Sequence, residues 1–155
     1  MRALYAGTFD PVTYGHLDII ERARQIFGHV FVVVAENTSK NTLFTAEERV
    51  RLIQDSLETA ENVEVGLFRG LLVDKAAELG DVVLIRGIRQ VSDFDYELRM
   101  AFANRRLAPD TDTLFFAPSE AHAFVTSSLV REIHRWGGDV SSMVPGPVLK
   151  ALKSR

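Results

Sequence analysis

The segment Gly7-Thr8-Phe9-Asp10-Pro11-Val12-Thr13-Tyr14-Gly15-His16 gathers hydroxyls, a carboxylate, two glycines and an imidazole in one short stretch. The apolar run Ala3–Ala6 precedes it, and Leu17, Ile20, Ala23 and Phe27 follow at helical spacing. The pattern predicts a buried strand, a loop, and a helix from Gly15 to Phe27. The first backbone N–H groups of a helix have no partner within the helix, so a helix start receives anions. Gly15 lacks a Cβ and lets a phosphate approach the backbone. His16 then stands beside that phosphate, and Thr8 and Thr13 add hydroxyls. A plain capping turn with a surface histidine is the competing reading. The position after the first strand favours the anion site.

Three further groups have the same chemistry. Lys40 lies in the polar stretch Asn37-Thr38-Ser39-Lys40-Asn41, behind the apolar run Val30–Ala35. On its own it reads as a solvated lysine. Arg86 and Arg89 flank a tight turn behind Val82–Ile85. A guanidinium grips phosphate oxygens through two parallel hydrogen bonds; the alternative is a pair of surface arginines bonded to Asp93 or Glu97. Thr126-Ser127-Ser128 opens a helix as an N-cap, and the same exposed amides can bind phosphate.

These groups need a scaffold, and the apolar pattern supplies one. Strands are expected at Ala3–Ala6, Val30–Ala35, Val63–Phe68, Val82–Ile85 and Thr113–Ala117. Helices are expected over Gly15–Phe27, from a Thr45–Glu48 capping box through Leu57, and over Leu71–Leu79, Ser92–Leu107, Ser127–Arg135 and Pro147–Lys153. Strands alternating with helices imply crossovers and a mainly parallel sheet covered on both faces, an α/β fold in one domain spanning 1–155. In such open sheets ligands bind beyond the carboxyl ends of the strands. The loops there are the ones that carry Thr8, His16, Lys40, Arg86, Arg89 and Ser127.

Composition narrows the function. There is no cysteine, which excludes thiolate catalysis, disulfides and cysteine-ligated metals. A net charge of −3 gives no global field for nucleic acid or an anionic membrane. The longest apolar run is too short to span a bilayer, and no signal-peptide stretch opens the sequence, so a cytoplasmic location is the expectation. No G-x-x-x-x-G-K-[ST] segment occurs, which excludes a P-loop kinase.

Taken together, Gly7-Thr8-Phe9-Asp10-Pro11 with Thr13-Tyr14-Gly15-His16 resembles the signature of the HxGH nucleotidyltransferase superfamily. Its phosphopantetheine adenylyltransferase branch commonly has threonine where Thr13 stands. Lys40, Phe44-Thr45-Ala46-Glu47-Glu48-Arg49, Ile85-Arg86-Gly87-Ile88-Arg89, Asp93-Phe94-Asp95-Tyr96-Glu97, Asn104-Arg105 and Ser127-Ser128-Leu129-Val130-Arg131-Glu132 agree with that branch. The resemblance covers nearly the whole chain. It implies a doubly wound, mainly parallel five-stranded sheet and transfer of the adenylyl group of ATP to 4′-phosphopantetheine. It implies catalytic roles for His16, Lys40 and Arg86. It implies ATP contacts at Thr8, Phe9, His16, Gly87, Ile88, Arg89 and Glu97, and along His122, Ala123, Phe124, Val125, Thr126, Ser127 and Ser128. Acceptor contacts are implied at Thr8, Lys40, Leu72, Arg86 and Asn104, and a homohexamer as the assembly. Mg²⁺ would be held mainly by the nucleotide phosphates, with no protein metal site. The sequence departs from the pattern at Asn41, where a second basic residue is frequent, at His122, where tyrosine or tryptophan is frequent, and at Thr126, where serine is usual.

Two rivals stay open at this point. A sister transferase acting on nicotinamide mononucleotide or glycerol phosphate would usually have histidine at the Thr13 position. A non-catalytic nucleotide-binding module would have no use for His16, Lys40 and Arg86 together. Asp10 is the obvious general base in the loop, yet the expectation is a structural role. Asp before proline favours an extended turn, and its carboxylate readily bonds backbone N–H groups two or three residues on. A phosphate oxygen carries its own charge and needs no base.

Overall fold

The computed structural model describes residues 1–36, 41–57 and 61–155. Among these residues five strands, β1 (Arg2–Gly7), β2 (Val30–Ala35), β3 (Val63–Phe68), β4 (Val82–Gly87) and β5 (Thr113–Phe116), pair in the order β3-β2-β1-β4-β5. Every pairing is parallel. The central strands read as continuous apolar runs because both faces of a parallel sheet are covered. Successive side chains alternate between those faces. Ala3 and Tyr5 join Val30, Val32, Val34, Val83 and Ile85 in the larger core. Leu4 and Ala6 join Phe31, Val33 and Leu84 in the smaller one.

Among the described residues six α-helices connect and cover the strands: α1 (Tyr14–Phe27), α2 (Ala46–Ser56), α3 (Leu72–Leu79), α4 (Val91–Leu107), α5 (Ser127–Arg135) and α6 (Gly146–Lys153). The larger core takes Ile19, Ile20 and Ala23 of α1, Leu52 and Ile53 of α2, Val130 of α5, and Val148 and Leu152 of α6. The smaller core is closed by Ala76 and Leu72 of α3. Along α4 only Asn104 is buried among the described side chains. No helix among the described residues is long and apolar enough to cross a membrane.

The expected elements differ from these mainly at their ends. β4 runs two residues beyond Ile85, because Arg86 and Gly87 still pair with Phe115 and Phe116. Leu71 is the N-cap of α3 rather than its first residue. A short 3₁₀ turn at Glu120–His122 was not expected. The chain lays down β1, β2 and β3 in one direction, then crosses back to place β4 and β5 on the other side of β1. The sheet therefore reverses its winding between β1 and β4, and a crevice opens at their carboxyl ends.

Candidate active site

A cavity of about 330 Å³ occupies that crevice. The carboxyl end of β1 and its loop contribute Tyr5 through Asp10, α1 contributes His16, and the approach to α2 contributes Asn41 and Thr42. The end of β4 adds Arg86, Gly87 and Arg89, α4 adds Glu97, and the start of α5 adds Thr126, Ser127, Ser128 and Arg131.

His16 is fixed by the start of its own helix. Thr13 is the N-cap of α1, and the His16 N–H donates to the Thr13 hydroxyl at 3.4 Å. In return the Thr13 N–H donates to His16 Nδ1 at 3.1 Å. A backbone N–H can only donate, so Nδ1 must accept, and the neutral ring then carries its proton on Nε2. Burial, and after it the positive charge of Arg89, pushes the imidazole pKa down to about 3. His16 is thus a neutral hydrogen-bond donor near pH 7, not an imidazolium. Phe9 holds the ring from the side, edge-on to His16 at 5.0 Å and to Tyr5 at 5.3 Å. The Phe9 ring lies over Gly7, where a Cβ would come within 2.9 Å of it. Tyr5 is buried, and burial pushes its hydroxyl up to about 12, so it too stays neutral.

Asp10 is structural, but its partners are not the local ones expected. Its side chain is almost wholly buried, and its two oxygens accept from Leu43 N at 2.8 Å and Phe44 N at 2.9 Å, more than thirty residues on. Arg49 repeats the tie from the other side. It is 3% exposed, and it donates to the carbonyls of Thr8 (2.7 Å), Ala35 (3.3 Å), Phe44 (3.2 Å) and Thr45 (3.3 Å). Together these residues lock the loop after β1 to the segment that leads into α2.

Arg86 and Arg89 both reach the cavity, and both make the ion pairs weighed above as the alternative. Arg86 donates from Nε and Nη2 to Glu97 at 2.6 and 2.7 Å, and from Nη1 to the Ala6 carbonyl at 2.7 Å. Burial works against its charge, but the bonds and charge of Glu97 outweigh that and raise its pKa further. Arg89 lies 3.7 Å from Asp93 and donates to the Val125 carbonyl at 3.3 Å. Ion pairing and cavity lining therefore coexist in one residue. At α5, the Thr126 hydroxyl caps Leu129 N at 3.0 Å and Ser127 Oγ donates to the Pro11 carbonyl at 2.8 Å. Arg131 donates to the Asp10 carbonyl and lies 3.6 Å from its carboxylate.

The crevice thus brings together Thr8, Phe9, His16, Arg86, Gly87, Arg89, Glu97, Thr126, Ser127 and Ser128 of the expected site. Several other expected residues do not line it. Leu72 packs into the smaller core on the opposite face of the sheet. Asn104 is buried about two turns further along α4 than Glu97. Ile88 uses its N–H to extend the sheet onto Phe116. In the stretch before α5, Val125 is a core side chain and Phe124 is exposed to solvent. His122 stacks on Tyr14 at 5.6 Å, and its carbonyl would lie 3.3 Å from a Cβ at Gly15. A side chain at Gly15 would therefore crowd this carbonyl. Ala123, beside it, also lies outside the lining. Lys40 falls outside the described residues.

Tyr5 and Arg131 line the cavity without having been singled out, and Asn41 and Thr42 line it from the loop behind β2 that also carries Lys40 in sequence. Arg131 also left a trace in the sequence, since it follows Ser127 by four positions and shares its helix face. Among the described residues no group of three or more His, Asp or Glu side chains could hold a metal ion.

Residues 4–133 match the family model described as cytidylyltransferase-like. Over 152 residues the chain is 47% identical to the phosphopantetheine adenylyltransferase of Alkaliphilus metalliredigens (strain QYMF), covering 98% of this chain and 97% of that one.

Proposed function

The chain belongs to the cytidylyltransferase-like family, in its phosphopantetheine adenylyltransferase branch, and we infer that it transfers the adenylyl group of ATP to 4′-phosphopantetheine, giving dephospho-coenzyme A and pyrophosphate. The observation that carries the chemistry is a crevice rich in cations and neutral donors, with no free carboxylate among its described lining residues. Its two carboxylates, Asp10 and Glu97, are both engaged by N–H donors. A phosphate monoester needs no base, because the attacking oxygen already bears charge. That oxygen bonds to the α-phosphorus of ATP, the bond from that phosphorus to the bridging oxygen breaks, and pyrophosphate leaves with the electron pair. What the protein must supply is alignment and stabilisation of the oxygens crowded around phosphorus.

The residues divide that work. His16 Nε2–H donates to the α-phosphoryl oxygens as their charge grows. Arg86 grips the acceptor phosphate, with Lys40 as its companion by family resemblance. Arg89, together with the free amides at the start of α5, holds the leaving pyrophosphate. Tyr5, neutral and buried, adds a hydroxyl without adding charge. Mg²⁺ fits as an ion carried in on the triphosphate and its waters, since both cavity carboxylates are already engaged; it would neutralise phosphate charge.

The enzyme works in the cytoplasm as one domain and assembles as a homohexamer. The apolar surface of α4 supports an assembly: Val91, Tyr96, Phe102 and Leu107 are each more than half exposed on a single chain. Incubation with ATP and either 4′-phosphopantetheine or nicotinamide mononucleotide, read by pyrophosphate release, tests the activity. Release is expected with the first acceptor only, and the reverse preference overturns the assignment.

A further inference from the structure

Of the two carboxylates bordering a cavity that must receive two polyanions, Asp10 is explained by the loop it closes. Glu97 is not. Its side chain is 12% exposed, and both its oxygens are taken by Arg86, at 2.6 Å from Nε and 2.7 Å from Nη2. A third bond, from Nη1 to the Ala6 carbonyl, ties the same guanidinium to the end of β1. A guanidinium has five N–H groups, so one remains on each terminal nitrogen. Two such N–H groups suffice to grip two oxygens of one phosphate.

Building on the activity inferred above, we propose that Glu97 is a positioning residue for the acceptor phosphate: it fixes Arg86 so that the two remaining N–H groups face the cavity, and it acts through Arg86 rather than on the nucleotide. An arginine anchored at three points gives up little side-chain freedom when phosphate arrives. The negative charge of Glu97 works against any phosphate nearby, so the benefit must come from geometry. Those two effects predict opposite signs. If charge dominated, Glu97→Gln would tighten acceptor binding. If geometry dominates, the same substitution loosens acceptor binding and slows turnover, since a shift of about 1 Å in a reacting group can cost about a hundredfold.

The test is a double-mutant cycle on the full-length protein with Glu97→Gln, Arg86→Ala and both together. It is read in kcat and KM for 4′-phosphopantetheine and in calorimetric binding of ATP. Glu97→Gln should lower kcat/KM for the acceptor about tenfold or more while the ATP Kd moves less than about threefold. In the Arg86→Ala background it should cause no further loss. Glu97→Asp, which keeps the charge but shortens the reach, should lose activity as well, and it replaces Glu97→Gln in the cycle if that variant melts below the assay temperature. A lower acceptor KM in Glu97→Gln, equal losses in both backgrounds, or a weakened ATP Kd would overturn the proposal. Failure of the wild type to use 4′-phosphopantetheine would instead refute the activity. The cycle is then decided by the Kd for inorganic phosphate, which needs no turnover.

Discussion

Replacing His16 by asparagine separates two jobs that the imidazole performs. The Asn side-chain oxygen can take the place of Nδ1 and keep accepting the Thr13 N–H, now a 3.1 Å bond, so the start of α1 survives. What disappears is the Nε2–H donor facing the cavity. Loss of one preorganised donor to a charging oxygen costs on the order of 10²–10³ in rate, about 2.7–4 kcal/mol. We therefore expect kcat to fall by that factor while the ATP Kd barely moves, measured by single-turnover kinetics and calorimetry. The pH profile is the sharper assay. With a pKa of about 3, set by burial and then by Arg89, about one His16 ring in a thousand is protonated at pH 6. An acidic limb near pH 6 must then come from the acceptor phosphate, whose second pKa is about 6 by analogy with phosphoserine. It should persist unchanged in His16→Asn. Stability follows the same titration. Because the folded pKa lies below the unfolded value of 6.5, the neutral ring's contribution is complete above pH 6.5 and is lost as pH falls towards 3. His16→Asn should thus be less sensitive to acid in that window. An unchanged kcat, or an acidic limb that vanishes with the imidazole, would refute the reasoning.

Two more outcomes follow from the geometry. Asp10→Ala strands the Leu43 and Phe44 amides and should destabilise by about 2–4 kcal/mol in urea unfolding. Asp10→Asn can serve only one of those amides, so it should also lose stability while its folded fraction keeps kcat within about tenfold; a far larger loss of kcat would make Asp10 the base after all. Phe102→Glu, on the exposed run of α4, should give a smaller species by light scattering, and an unchanged mass would remove this helix from the interface.

Sequence periodicity located every strand and α-helix of the described fold, because the central strands are buried on both faces and the helices other than α4 each bury apolar residues against the sheet. The Thr45–Glu48 capping box was legible because a threonine followed three residues later by glutamate is its usual form. The equivalent box at α1 uses His16 in the glutamate's place, so the residue expected to act at the phosphates also closes its own helix. Arg86 and Gly87 were read as a turn, since nothing local reveals that β5 extends far enough to pair with them. Asp10 was recognised as structural, but spacing could not show partners that belong to another crossover. Leu72 entered the expected site by resemblance alone; in this structure its side chain packs, partly buried, against the smaller core.

The ties from Asp10 and Arg49 make the geometry of the crevice depend on the order in which the molecule assembles. α1 carries its own cap and can form from local contacts, but the loop in front of it takes shape only once residues 43–49 have docked. Closing contacts over such separations is a late and easily reversed step, because each costs loop entropy before it gains anything. Turnover should therefore be the last property to appear on refolding and the first to go under mild denaturant. A sample can hold its full helical signal while the substrate cradle is already open.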